Sequence, residues 1–154
     1  MSRPLCILHA EDNLGDAQLT RLALEESDEP YELHHVIDGE EALRFLRREA
    51  PYENAPRPDL VLLDLNMPRL NGHATIEAIK TDPDLKTVPV IVLTTSGSPY
   101  DVTRSYEAHV NSYIRKPLGF EQLVDLMTRL QRFWLEAAVL PGAVQSAGSV
   151  QSRW

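Results

Sequence analysis

The sequence predicts a doubly wound α/β fold, in which a five-stranded parallel sheet carries helices on both faces. Short apolar segments of strand type alternate with amphipathic helical segments along the chain. The most apolar of them, residues 60–63, suits a strand covered on both faces and leads directly into a carboxylate, Asp64. The chain has 154 residues, 43% of them hydrophobic, which is enough for one domain with a substantial core.

Each element follows from a local pattern. The second strand alternates imperfectly and is predicted to be partly exposed, whereas the others are more continuously apolar. The predicted strands are residues 5–10, 31–37, 60–63, 88–93 and 112–115. Apolar residues at helical spacing predict five helices, at residues 15–26, 39–48, 72–80, 100–109 and 119–138. The apolar face of the first helix is predicted to consist of Ala17, Leu19, Leu22, Ala23 and Leu24.

Proline and small residues mark the segments outside these elements. The proline-rich residues 49–58 are predicted as a loop before the third strand. The domain is predicted to span residues 1–138, with an extended last helix, and to be followed by a disordered tail at residues 139–154. This tail is too short for a DNA-binding domain of the usual kind, so we expect a single-domain protein.

Charge and cysteine content exclude several classes of protein. The formal net charge of -8 disfavours direct binding to nucleic acid. The single cysteine, Cys6, allows no intramolecular disulfide and lies in an apolar segment, where we expect a buried thiol. No segment is long enough for a signal peptide core or a membrane span. We therefore expect a cytoplasmic protein without a membrane partner.

Polar side chains follow four of the predicted strands, at the point where each strand ends. Glu11 and Asp12 follow the first strand, Asp64 the third, Thr94 the fourth and Lys116 the fifth. Because the carboxyl ends of parallel strands lie at one edge of a sheet, we expect these side chains to converge. Three carboxylates repel one another unless a cation lies among them, and hard oxygen ligands with room for water suit Mg²⁺. Thr94 and Lys116 would supply the hydroxyl and the positive charge that a phosphoryl group on Asp64 needs.

Each of these residues, taken singly, has a more ordinary interpretation. An aspartate after a strand is commonly a helix cap, and a Lys-Pro pair is commonly part of a loop. The tandem histidines His34 and His35 could suggest a metal, but no third ligand lies at a suitable spacing, so exposure to solvent is favoured. The occurrence of all four polar groups at one edge of the sheet favours a phosphoryl-transfer site.

As a set, these motifs resemble the receiver domains of two-component response regulators. The resemblance covers residues 5–130 and is carried by Glu11-Asp12-Asn13, Asp64-Leu65-Asn66-Met67-Pro68 with Asn71-Gly72, Thr94-Thr95-Ser96, and Tyr113 three residues before Lys116-Pro117. It implies a flavodoxin-like strand order of 2-1-3-4-5. It also implies that Asp64 takes a phosphoryl group from a histidine kinase's phosphohistidine, in a protein that is not otherwise an enzyme.

The resemblance assigns further roles within the site. The implied Mg²⁺ ligands are Glu11, Asp12, Asp64 and the backbone carbonyl of Asn66. Thr94 and Lys116 would bind the phosphoryl oxygens, and Lys116-Pro117 would form a cis peptide that aims the lysine. Phosphorylation would draw Thr94 inward and let Tyr113 rotate, which changes the face formed by the fourth helix, fifth strand and last helix. The ordinary alternative for Tyr113 is an aromatic at the rim of an edge strand.

Two features resemble the regulators that partner bacterial phytochrome kinases. They are the proline-rich loop at residues 49–58 and the aromatic extension of the last helix at Phe133 and Trp134. Adjacent residues lie about 100° apart on a helix, so one of these aromatics is expected to meet a homodimer partner, unless the helix folds both onto its own sheet. The family places kinase docking at Leu14, Gln18, Arg21 and Phe120.

Other functions fit parts of the pattern. A magnesium-dependent phosphohydrolase also forms an aspartyl phosphate, but Asn66 stands where its general acid would be. In a flavodoxin-like electron carrier, Glu11 and Asp12 would repel the flavin phosphate. A phosphorelay intermediate and a binding module that is never phosphorylated are two further alternatives, although every residue needed for phosphorylation is present.

Overall fold

Five parallel strands form one sheet in the order β2-β1-β3-β4-β5, which confirms the predicted fold and strand order. The computed structural model describes residues 3–141. The strands are β1 (Leu5–Ala10), β2 (Tyr31–Val36), β3 (Leu60–Leu63), β4 (Val90–Thr94) and β5 (Ser112–Arg115). The helices are α1 (Leu14–Glu26), α2 (Gly39–Arg47), α3 (Gly72–Thr81), α4 (Pro99–Glu107) and α5 (Phe120–Arg132), and α5 continues into a π-helical segment (Phe133–Ala137).

The register of the sheet brings the strand ends together. Ala10 pairs with Val36 on one side and with Leu63 on the other, and Thr94 pairs with Arg115. The residues that follow these positions, among them Glu11, Asp64 and Lys116, therefore leave the sheet at the same edge.

Alternate residues of the strands face two separate cores. One face of the sheet packs against α2 and α3 and contains Leu8, Leu63 and Ile76. The other face packs against α1 and α5 and contains Ile7, Leu24 and Met127. β1 and β3 are buried throughout, whereas the edge strands β2 and β5 are partly exposed, as predicted for β2.

The buried face of the first helix is only partly the one predicted, because Ala17, Ala23 and Leu24 are buried but Leu19 and Leu22 are not. Its buried residues include Thr20, whereas Leu19 and Leu22 are 44% and 38% exposed. The buried stripe runs through residues 17, 20, 23 and 24, which is the spacing of one helical face. Leu19 and Leu22 lie beside that stripe, so their hydrophobicity alone was misleading.

The end of the chain's packed region also differs from the prediction. α5 ends at Arg132, and in the π-helical segment the amide of Ala138 donates to the Phe133 carbonyl at 2.8 Å. Leu140 is 4% exposed and joins the core between α1 and α5, so packing extends past the predicted boundary at residue 138. The remainder of the predicted disordered tail, residues 142–154, lies outside the described residues. Within residues 3–141, no helix has both the length and the apolar composition that a bilayer crossing requires.

Cys6 is a buried thiol, as its apolar segment predicted. Its side chain lies in β1 with 7% exposure, and its backbone amide donates to Asp59 Oδ2 at 2.8 Å. Burial, helped by the negative charges of Glu32 and Asp59, raises the pKa of the Cys6 thiol to about 12.

We predict that Cys6 makes folding stability sensitive to alkali. Because the unfolded thiol ionises near its ordinary pKa of about 8.5, the unfolded state loses its proton first as pH rises. The contribution of the Cys6 thiol to the free energy of unfolding is therefore complete below that pH, and it is lost as pH rises toward about 12. Urea unfolding would be measured for the wild type and for Cys6→Ala between roughly pH 8 and pH 11, the window set by these pKa values. The free energy of unfolding should fall more steeply with pH in the wild type. Parallel declines would contradict this prediction.

Candidate functional site

Asp64 lies at the centre of a polar cluster at the carboxyl edge of the sheet. Its side chain follows β3 and is almost fully buried. Oδ1 accepts the Thr94 hydroxyl at 2.9 Å and the Asn66 backbone amide at 3.1 Å. Oδ2 lies 3.1 Å from Lys116 Nζ. The carboxylate is thus held by donors from the ends of β4 and β5 and from its own loop.

The ammonium group of Lys116 is shared among three carboxylates. Nζ lies 2.6 Å from Glu11 Oε1, 3.0 Å from Asp16 Oδ2 and 3.1 Å from Asp64 Oδ2. The lysine's backbone amide donates to the Thr94 carbonyl at 2.7 Å, which fixes the end of β5 beside β4.

The expectation of a cis peptide at Lys116-Pro117 is wrong for this structure. The cis peptide bond within residues 3–141 is Ala50-Pro51, and Lys116-Pro117 is trans, the form that X-Pro bonds generally prefer. The lysine reaches the cluster because β5 ends beside β4 and because the carboxylates attract its ammonium group.

The carboxylates of Glu11, Asp12 and Asp64 meet at this edge of the sheet, as the strand order predicted. Single oxygens of Glu11, Asp12 and Asp64 lie within 4.8 Å of one another. Glu11 is buried, whereas Asp12 is exposed at the rim, so the cluster opens to solvent on one side. This set of hard oxygen donors with room for water fits Mg²⁺.

The charges in the cluster perturb one another. Burial raises the pKa of Glu11 to about 7, although the hydrogen bond from Lys116 opposes the rise. Burial acts in the same way on Asp64, but the Asn66 amide and Lys116 outweigh it and hold the pKa of Asp64 below its ordinary value. The pKa of Lys116 is raised, since its hydrogen bonds to Glu11 and Asp16 outweigh the opposing effect of burial. The cluster therefore holds more negative charge than one lysine balances, which favours a divalent cation.

The two predicted switch residues lie on either side of the β4–α4 loop. Thr94 is completely buried and its hydroxyl points at Asp64. Tyr113 packs partly against the core, and its hydroxyl donates to the Ser96 carbonyl at 2.7 Å. Tyr113 is therefore joined by a hydrogen bond to the loop that follows Thr94.

Sequence reasoning missed two residues that contact the cluster. Asp16 lies in the first turn of α1, where an acidic residue is usually explained by the helix dipole, yet it holds Lys116. Its position just beyond Glu11-Asp12-Asn13, at the same sheet edge, was the available signal. His35 was predicted to be exposed, but its Nε2 lies 2.7 Å from the Glu11 carbonyl and so supports the end of β1.

His34 lies near two other potential metal ligands, a grouping that the sequence spacing did not reveal. Because β1 and β2 are paired, the Cys6 thiol and the Glu32 carboxylate lie within 4.8 Å of His34. The His34 ring also packs against Phe45, and its Nε2 lies 2.6 Å from Glu32 Oε2. These contacts explain His34 as part of the β2 surface.

The predicted contact residues lie on two separate surfaces. Leu14 and Phe120, the first residues of α1 and α5, are 69% and 40% exposed, with Gln18 exposed and Arg21 partly exposed on α1. At the end of α5, Phe133 is 54% exposed, while Trp134 packs partly onto the core. The two rings meet edge to face at 5.2 Å. The exposure of Phe133 agrees with the expectation that one aromatic is left for another contact.

Comparison with known proteins shows which family the chain is similar to. Residues 7–128 match the response regulator receiver domain family. Response regulator Rcp1 of Synechocystis sp. is 44% identical over 140 residues, which make up 91% of this chain and 95% of Rcp1.

Solved structures of similar proteins have the same fold. The phosphorylated cyanobacterial phytochrome response regulator RcpA is 45% identical and superposes with a TM-score of 0.84, over 90% of this chain and 99% of RcpA. The Mn²⁺-bound form of response regulator Rcp1 is 43% identical and superposes with a TM-score of 0.82, over 90% of this chain and 99% of the Rcp1 chain. The chain is thus similar, over nearly its whole described length, to response regulators of phytochrome systems.

Proposed function

The chain belongs to the response regulator receiver domain family, and from this premise we propose that Asp64 accepts a phosphoryl group from a histidine kinase. The observation that carries the proposal is the convergence on Asp64 of Thr94 and Lys116, each from a different strand, beside Glu11 and Asp12. We propose a phytochrome-type kinase as the donor, because the phytochrome regulator RcpA shares 45% of its sequence with this chain.

The geometry supports a simple transfer reaction. One carboxylate oxygen of Asp64 attacks phosphorus, the P–O bond forms as the P–N bond of phosphohistidine breaks, and the imidazole nitrogen keeps the electron pair of that bond. Such a transfer needs in-line positioning and neutralisation of charge more than covalent help. The Lys116 ammonium group lies close enough to Asp64 to contact the oxygens of a phosphoryl group added there. The Thr94 hydroxyl can turn from the carboxylate to a phosphoryl oxygen.

A divalent cation completes this proposal. The residues that would hold Mg²⁺ are Glu11, Asp12, Asp64 and the backbone carbonyl of Asn66. When bound, the ion would neutralise the carboxylates and the incoming phosphoryl oxygens. The Mn²⁺-bound form of the related Rcp1 supports this choice.

We predict that removing divalent cations prevents phosphorylation. The purified protein is incubated with acetyl phosphate and Mg²⁺, or with acetyl phosphate and EDTA, and is resolved on a phosphate-affinity gel. A retarded species should form with Mg²⁺, fall below detection with EDTA and return when Mg²⁺ is added in excess. Equal modification in EDTA would contradict the metal requirement. No modification in either case, with a cognate kinase also inactive, would favour a binding module that is never phosphorylated.

The proposed output is a change in the surface formed by α4, β5 and α5. Movement of Thr94 toward the phosphoryl group would displace the loop whose Ser96 carbonyl now accepts from Tyr113. A homodimer through this surface, with Phe133 in the contact, and kinase docking at Leu14, Gln18, Arg21 and Phe120 belong to the same proposal. We also propose a cytoplasmic location. As an alternative output, the protein relays its phosphoryl group to a further histidine.

We predict that Phe133 contributes to a homodimer contact. Phe133 is 54% exposed and borders an open groove lined by Ile114, Leu126 and Leu130. Phe133→Gln should weaken dimerisation by about tenfold or more, the scale of a central interface aromatic. Sedimentation equilibrium would be compared with Val139→Gln, which changes a residue that is 76% exposed nearby. A monomeric wild type, phosphorylated or not, would contradict the dimer, and equal effects of the two variants would contradict the assignment to Phe133.

A further inference from the structure

Three side chains of metal-binding type meet where β1 pairs with β2. The sulfur of Cys6, a carboxylate oxygen of Glu32 and a ring nitrogen of His34 lie within 4.8 Å of one another. Cys6 is the register partner of Glu32, and His34 lies two residues further along β2, so the three side chains project from one face of the sheet. We call Cys6, Glu32 and His34 the strand-pair cluster.

The strand-pair cluster is separate from the carboxylates around Asp64. Cys6 precedes Glu11 in the chain by nearly the length of β1, so the two groups lie roughly 16 Å apart along the strand direction. Their chemistry also differs, because Glu11, Asp12 and Asp64 offer only oxygen, whereas the strand-pair cluster offers sulfur, nitrogen and oxygen. An ion bound at one group is therefore chemically distinguishable from an ion bound at the other.

The surrounding structure holds the three side chains in place. The backbone of Cys6 is fixed on both sides, because its amide donates to Asp59 Oδ2 at 2.8 Å and its carbonyl accepts the Asp59 amide at 2.7 Å. The His34 ring packs against Phe45 of α2, with the ring centroids 5.2 Å apart. His34 Nε2 also lies 2.6 Å from Glu32 Oε2. The ligands are thus brought together on two paired strands, which are rigid supports for a binding site.

An ion can reach the strand-pair cluster from solvent. Cys6 is only 7% exposed, but the side chains of His34 and Glu32 are 29% and 51% exposed. The thiol therefore forms the inner end of the cluster, and the imidazole and the carboxylate form its outer end. Three protein ligands leave a fourth tetrahedral position, which water can fill on the exposed side.

The charges around Cys6 favour a cation. Burial, together with the negative charges of Glu32 and Asp59, raises the pKa of the Cys6 thiol to about 12, so the free thiol keeps its proton. A dication reverses this balance, because it deprotonates a thiol that coordinates it. As the metal–sulfur bond forms, the S–H bond breaks and the proton leaves to solvent, while His34 binds through the lone pair of an unprotonated ring nitrogen.

We propose that Cys6, Glu32 and His34 bind Zn²⁺ and thereby link the edge strand β2 to β1. Thiolate sulfur, imidazole nitrogen and carboxylate oxygen are the ligands that zinc takes in proteins, whereas Mg²⁺ takes oxygen ligands. The ion would add a bond between two strands that are otherwise joined by backbone hydrogen bonds and side-chain packing. This site goes beyond the proposed function and does not depend on phosphorylation of Asp64.

The test uses Co²⁺ as a probe, because cobalt bound to a thiolate gives a charge-transfer absorption band that oxygen ligands do not produce. The reduced full chain, freed of metal, is titrated with Co²⁺ in the presence of excess Mg²⁺, and Zn²⁺ is then added to displace the cobalt. The variants are Cys6→Ser and His34→Gln. The matched control is His109→Asn, which changes an exposed histidine whose φ of 75° asparagine tolerates. His34 is partly exposed, so His34→Gln should fold even if Cys6→Ser does not.

The wild type and His109→Asn should develop the charge-transfer band, and Zn²⁺ should abolish it. Cys6→Ser should show no band. His34→Gln should bind Co²⁺ at least about 100-fold more weakly, because loss of a ligand should cost at least as much as loss of a residue that only orients one. Zn²⁺ at about a hundredfold excess over its Kd should raise the Tm of the wild type by about 5 °C or more. The Tm of the two variants should barely change.

Three results would overturn the zinc site. The first is a wild type that shows no band in a large excess of Co²⁺. The second is a Co²⁺ affinity of His34→Gln equal to that of His109→Asn. The third is an equal rise in Tm in the wild type and both variants, which would show that Zn²⁺ binds elsewhere, as at the carboxylates around Asp64. None of these measurements uses a phosphodonor, so failure of the zinc site and failure of the proposed function are distinguishable.

Discussion

Replacing Asp64 by asparagine is expected to abolish phosphorylation of the protein. The amide that results has the same shape but lacks the negative charge and the nucleophilic oxygen that the transfer needs. The fold should survive, because the Thr94 hydroxyl can still donate to the amide oxygen and Lys116 retains Glu11 and Asp16 as partners. We therefore expect Asp64→Asn to lose the phosphorylation reaction while remaining folded.

A matched change tests whether the loss is specific to Asp64. Asp28 is exposed at the end of α1 and has a positive φ of 63°, a conformation that asparagine also tolerates. Asp28→Asn should be modified at the wild-type rate on a phosphate-affinity gel, while Asp64→Asn shows no retarded species. Undiminished modification of a folded Asp64→Asn protein would show that another residue accepts the phosphoryl group.

Replacing Lys116 by methionine is expected to have the next largest effect. Methionine keeps much of the apolar stem but removes the ammonium group from its contacts with Glu11, Asp16 and Asp64. Loss of a cation positioned for the phosphoryl oxygens should slow phosphorylation on the order of 100-fold. The pKa of Glu11 should also rise further above about 7, because Lys116 now opposes its rise.

Lys86 provides the control for this change. It is an exposed lysine at the opposite end of the sheet from the cluster, and Lys86→Met should leave the reaction rate unchanged. Single-turnover kinetics with acetyl phosphate at saturating Mg²⁺ separate the effect on the reaction from any effect on metal affinity. A Lys116→Met protein that reacts within about threefold of the wild type, far from the loss expected for a key donor, would contradict the role of the lysine.

The sequence predicted that these polar side chains converge because each of them follows a strand end. Once β1, β3, β4 and β5 are recognised as parallel, the topology alone brings Glu11, Asp64, Thr94 and Lys116 to one edge. No knowledge of side-chain conformations is needed for that step. The family resemblance then supplies the chemistry.

Residues on helices were harder to place, since their contacts depend on how the helices pack. Asp16 and Asp101 each lie in the first turn of a helix, where an acidic residue has an ordinary local explanation. Only the packing of α1 and α4 against the sheet shows that one holds Lys116 and the other joins Ser96 to His73. In the same way, hydrophobicity could not tell that Thr20 is buried while Leu19 is exposed.

The most direct test of the proposed function is to locate the modified residue. The protein is incubated with acetyl phosphate and Mg²⁺, treated with borohydride to reduce the acyl phosphate, digested and mapped by mass spectrometry. We expect aspartate 64 to be converted to homoserine, with no conversion in samples that lack donor or Mg²⁺. Conversion at a different residue, or unmodified Asp64 in a sample that carries phosphate, would contradict the assignment of Asp64 as the phosphoryl acceptor.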